Sequence, residues 1–271
     1  EDVDGEDYLG QPLVNVNLLH GAHRLGLYAM SGFRERTFAG DHARLRGPLP
    51  VAEDDPVFEA DSGRGHVDLA ARYTLNAGPL DLGLAHFSGT SREARLVPRV
   101  AGPGFPPPLE LRPYYDLIEQ TSLDAQLTLG AWAWKLEALS RGGHGERFEA
   151  AVAGFEYTLY EAFGTAADVG VLAEYLYDNR PASAPPTTME DDLFVGLRWT
   201  GNDLADTNIL FGVVHDFDDE SLAFSLESRR RLGTRLSLEF ELRTFQRVPD
   251  TDLLAAVRAD DFAQLRVLYW F

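Results

Sequence analysis

The sequence predicts an all-β protein, an antiparallel up-and-down β-barrel of about 14 strands, and three observations carry that expectation. Apolar and polar residues alternate with a period of two along most of the chain. The connections between alternating segments sort into a short set and a long set that take turns. Helical periodicity is nearly absent. Strict alternation over eight or more residues marks a strand buried on one face.

The segment "HVDLAARYTL" sets Val67, Leu69, Ala71, Tyr73 and Leu75 against Asp68, Ala70, Arg72 and Thr74. "RLSLEFELRTF" and "ADVGVLAEYLYD" repeat the pattern, as do "WAWKLEA" and "SLDAQLTL". Taken in order, strands are expected near 12–20, 24–36, 66–76, 80–91, 116–129, 132–140, 148–161, 167–178, 191–200, 207–217, 220–231, 235–247 and 260–271. The short connections are "HGAH", "NAGP", "LGAW", "FGTAA", "GNDLAD" and "LGT". The other set covers 39–65, 92–113, 140–147, 179–190 and 248–259, with "DFDDE" near Asp218 its one short member. The stretches "RGPLPVAEDDP" and "GPGFPPP" resist regular structure and suit a constriction loop or a surface loop.

Composition narrows the class. The 271 residues are 45% hydrophobic and 25% charged, which excludes a disordered tail. A formal charge of −19 argues against nucleic acid, whose phosphates require clustered Lys and Arg. Cysteine is absent, so disulfides, Cys-ligated zinc and thiol catalysis are excluded. No run reaches the roughly 18 apolar residues of a transmembrane helix, a limit that does not touch barrels, whose strands need about 9–11.

A soluble sandwich also alternates. It would use strands of about five or six residues, with no reason to sort its loops by length. Here several strands run about ten to fourteen residues and carry full charges on the polar face. Trp132, Trp134, Trp199 and Trp270 all sit beside the short connections, as an interfacial aromatic girdle would. A transmembrane barrel of one domain, 1–271, is the expected architecture.

The chain closes on "LRVLYWF", with Leu265, Val267, Tyr269 and Phe271 on one face. That terminal Phe, the alternation behind it and the hairpin rhythm resemble the outer-membrane β-barrel proteins of Gram-negative bacteria, porin-like ones in particular. The resemblance implies short periplasmic turns, long extracellular loops, and outer-membrane lipid and lipopolysaccharide as surroundings. It also implies that Leu265, Val267, Tyr269 and Phe271 are the signal read by the barrel-assembly machinery. Family barrels have even strand numbers, whereas thirteen strands are counted here. Residues 1–11 would then form an extracellular-type loop. The chain would be the C-terminal portion of a larger barrel, by truncation, by cleavage or with a second polypeptide supplying the missing strands. A single miscounted strand is the alternative.

With the apolar face toward lipid, the polar face lines the interior. Its candidates are Asp68, Arg72, Asp81, Asp124, Lys135, Glu137, Glu156, Glu174, Arg198, Glu227, Arg229, Glu239, Glu241, Arg243 and Arg266, with Arg24 beside them. So many charges on one face require water or one another. Two functions fit: a passive porin-like channel for small polar solutes or ions, and a scaffold barrel whose salt-bridged interior is closed and whose loops bind a partner protein.

Enzymatic chemistry has little to stand on. His86 and Ser88 lie two apart on one strand face, a spacing a barrel hydrolase could use, but no acid or amide partner is evident. His215 and Asp216 are adjacent and so point to opposite faces. No catalytic set, cofactor site or metal-ligand spacing of His is expected. Loop carboxylates Asp54, Asp55, Glu59 and Asp61 could bridge divalent cations to lipopolysaccharide phosphates, or could be solvated charge alone.

Overall fold

The computed structural model describes residues 10–40, 42–43, 47, 49–102 and 109–271. The acidic segment 1–9 and the proline-rich 103–108 therefore lie outside the described residues. Sixteen strands follow in chain order. The first eight are β1 (Leu13–His20), β2 (His23–Met30), β3 (Val57–Phe58), β4 (Asp68–Ala77), β5 (Leu80–Thr90), β6 (Arg95–Val100), β7 (Leu109–Tyr115) and β8 (Leu117–Leu129). The rest are β9 (Trp132–Gly142), β10 (Phe148–Leu159), β11 (Asp168–Asp178), β12 (Asp191–Thr200), β13 (Asn208–Asp216), β14 (Leu222–Leu232), β15 (Leu236–Gln246) and β16 (Phe262–Tyr269).

Thirteen of these form one sheet in the order β1-β2-β4-β5-β8-β9-β10-β11-β12-β13-β14-β15-β16. They are the thirteen that alternation predicts. Each neighbouring pair is antiparallel, and two-residue turns led by Gly78 and Gly130 join β4 to β5 and β8 to β9. Both glycines have positive φ, 62° and 60°, which a two-residue hairpin turn demands at that position.

The sheet is open rather than closed into a barrel: β1 and β16 are its two edges. An even number of antiparallel steps separates them, so the two edge strands run in the same direction. A ladder joining them directly would be parallel.

Two boundaries differ from the alternation reading. β2 ends at Met30, not near 36, because Gly32 turns at φ 68° and Phe33 leaves the sheet. Phe33 instead packs edge-on against Tyr115 and Phe58, with centroids 4.9 and 5.6 Å away. β16 ends at Tyr269, with Trp270 N–H still donating to the Arg235 carbonyl and Phe271 projecting fully into solvent.

The long connections also hold structure that the sequence reading left irregular. β6 and β7 form an antiparallel hairpin inside 92–113, and β3 lies parallel against β7. Two strand prolines are accommodated. Pro98 lies on the edge strand β6. Pro113 falls between the Val51–Leu111 bridge and the Val57–Tyr114 pair, where the parallel partner is interrupted.

Candidate functional site

Cross-strand partners share a face, so the register decides which side chains meet. Followed strand to strand through the register and its two-residue parity, Arg72, Gly83, Asp124, Glu137, Glu156, Arg198, Glu227, Glu239 and Arg266 all lie on one face. Asp68, Asp81, Lys135, Glu174, Arg229, Glu241 and Arg243 fall on the same face, as does Arg24. Every predicted interior residue therefore lies on one face of the sheet. The opposite face carries Val14, Leu69, Leu84, Trp134, Tyr175, Val195, Phe211 and Leu265, all exposed.

Salt bridges organise the charged face. Arg72 Nη2 donates to the Asp124 carboxylate at 2.7 Å, and Arg198 Nη1 to Glu156 at 2.6 Å. Each pair joins alternate strands and passes over a glycine on the strand between them. A Cβ on Gly83 would stand 2.6 Å from Arg72 Nη2 and closer still to Asp124. One on Gly170 would stand 3.0 Å from Glu156 Oε1. These glycines supply space above the sheet, a role beyond easing curvature. Arg243 reaches Glu241 at 2.8 Å and Glu227 at 3.8 Å, while Arg266 lies 3.5 Å from Glu239. Glu137 and Glu174 have no ion-pair partner among the described residues.

At the long-loop end the chain folds inward over this face. Glu93, just past β5, accepts from Arg141 Nη1 at 3.0 Å and lies 3.8 Å from Arg180. Both guanidinium groups sit over the buried Phe148 ring. Arg95 of β6 holds the buried Asp116 with two bonds, 2.7 and 2.5 Å, anchoring the small sheet to β8. His144 is fully buried beside them, its Nε2 3.7 Å from Asp116, and burial pushes its pKa below the usual imidazole value. A cavity of about 670 Å³ runs along the charged face from Arg72 through Asp124 and Glu137 to Asp178, with Thr187 and Met189 of the 179–190 connection on its wall. Residues of β4, β8, β9, β10 and β11 border it.

Two of the loop carboxylates that could bridge cations have protein partners. Arg112 and Arg99 bind Asp55 and hold its carboxyl below the usual range, while Glu59 accepts from the Leu117 amide. His86 and Ser88 share the apolar face, but the Thr121 hydroxyl, 2.9 Å from His86 Nδ1, takes the place a carboxylate or amide would hold. His215 faces away from Asp216, its Nδ1 3.3 Å from the Ser221 carbonyl oxygen. Leu265, Val267 and Tyr269 lie along the exposed apolar side of β16.

One cluster escaped the sequence reading. Asp216, Asp219 and Asp252 bring carboxylate oxygens within 4.8 Å of one another, two from the end of β13 and the turn after it and one from the segment between β15 and β16. Burial, then Asp216 and Asp252, push the Asp219 carboxyl above its usual range. The acidic letters of "DFDDE" and "VPDTD" were the available signal, but nothing in their spacing says that the two loops meet.

Comparison with protein-family models, curated proteins and solved structures gave no match.

Proposed function

We propose that the chain works as an outer-membrane β-barrel channel, through which small polar solutes or ions diffuse passively. The observation that supports this most is the partition of one continuous sheet into a salt-bridged face and an exposed apolar face. A surface with that division suits water on one side and hydrocarbon on the other, since exposed apolar side chains gain about 1.5–3 kcal/mol each on leaving water. In this reading the short turns are periplasmic and the long connections extracellular, with the barrel closed in the membrane. Conduction needs no cofactor. Solutes are filtered by the mixed charges of the wall and by the 39–65 and 92–113 connections.

A scaffold barrel with an occluded interior is the second reading, favoured by Glu93 being drawn over Arg141 and Arg180. Planar-bilayer recording separates them. Steady ohmic steps from the folded, inserted protein are expected; persistent silence would overturn the channel. The hydrolase reading rests on His86 and Ser88 alone, and it requires lipid hydrolysis that disappears in Ser88→Ala.

A further inference from the structure

Elsewhere on the charged face most carboxylates find an arginine. Where β12 begins and β13 ends the pattern stops. Glu190, Asp192, Asp216, Asp218, Asp219 and Asp252 make no ion pair among the described residues. Asp192 and Asp216 stand directly opposite in the register, where like charges repel. Asp192 is only 1% exposed, and its Oδ2 has no hydrogen-bond partner. Asp252 Oδ1 accepts from the Leu254 amide, but its Oδ2 is shut off from solvent and equally unpartnered. Two buried, unpartnered carboxylate oxygens in a patch without a cation are a large cost, unless something positive binds there.

We propose that Asp216, Asp219 and Asp252 bind a calcium ion that ties the 217–221 turn to the 247–261 segment, with Asp192 buried behind it as a further carboxylate facing Asp216. The donors are all oxygens, which favours Ca²⁺ or Mg²⁺ over zinc or copper. Two carboxylates of one tight turn and a third from a distant loop form an irregular set, which Ca²⁺ tolerates better than the strictly octahedral Mg²⁺. Asp216 Oδ1 already accepts from the amides of Asp218 and Asp219, at 2.7 and 3.0 Å, so the turn is curled around that carboxylate. This inference does not depend on the channel reading.

The test uses the full chain, shown by circular dichroism to be folded and stripped with EDTA. Titration with CaCl₂ in a calorimeter is expected to give one saturable site per chain. Amide exchange at 217–221 and 250–256 should slow when it fills. Asp219→Asn and Asp252→Asn should each weaken binding at least tenfold, while Asp250→Asn, an exposed residue paired with Arg258, should not. Absence of saturable binding at millimolar Ca²⁺, unchanged affinity in the Asp219→Asn/Asp252→Asn double variant, or equal affinity for MgCl₂ would each overturn the assignment. Where a variant does not fold, the stoichiometry and exchange of the unaltered chain decide the matter alone.

Discussion

At the scale of single residues, the charged face is built as much by glycine as by charge. The Arg72–Asp124 pair is part-exposed, and such a pair is worth no more than about 1 kcal/mol alone. Its geometry nonetheless requires that nothing project from Gly83. Gly83→Leu is expected to displace the pair and to destabilise the fold. In an Arg72→Ala/Asp124→Ala background the same change should cost less, by about 1 kcal/mol, because the space it invades is already vacant. A denaturant double-mutant cycle measures the difference, and a coupling of zero would refute the crossing-over-glycine account. His144 provides a pH signature. Its folded pKa is depressed by burial, opposed by Asp116 and Glu93 and assisted by Arg141 and Arg95. The buried neutral imidazole therefore contributes fully above its unfolded pKa of about 6.5, and its contribution is lost as pH falls below that value. Amide protection of 140–147 should drop between pH 7 and 5, and His144→Phe should flatten that drop. An unchanged profile in the variant would place the titration elsewhere.

At the scale of elements, the loop excursions act as one packed unit. Tyr115 is wholly buried between Phe33 and Phe58, and its hydroxyl accepts from the Arg36 amide. Removing a buried aromatic of this size costs about 3–5 kcal/mol. Tyr115→Ala should accordingly release the small sheet, seen as lost exchange protection at 57–58, 95–100 and 109–115, while the thirteen-stranded sheet keeps its own. Concerted loss from both sheets would show that the excursion is integral to the main fold. This division also marks how far the sequence could be read. All thirteen main strands were visible because each has one wet and one apolar face, and a period of two records that directly, as in Leu236 to Gln246. The face of every charge followed from parity alone. β3, β6 and β7 were hidden because two prolines and a two-residue strand give alternation too little length. Tyr115 meeting Phe33 and Phe58, and Asp216 meeting Asp252, are long-range meetings of loops that no local period encodes.

At the scale of the whole molecule, an excess of acid on the charged face sets a field. The net charge of −19 belongs to the entire chain, while Asp81, Glu137 and Glu174 are among the charged-face carboxylates with no ion-pair partner among the described residues. Paired residues such as Arg198 and Glu156 nearly cancel at a distance, so unpaired carboxylates dominate what a passing ion experiences. The channel reading thus carries a sign: K⁺ should be favoured over Cl⁻. The preference should be strongest near 0.1 M salt, where screening acts over about 10 Å, and should fade toward 1 M, where it acts over about 3 Å. Glu137→Gln/Glu174→Gln should move the reversal potential in a KCl gradient toward zero without altering the apolar face or insertion. Arg198→Gln should move it the other way, because that change frees Glu156 from its guanidinium partner. A pore that is anion-selective, or whose reversal potential ignores all three substitutions, would mean that ions do not travel along this face.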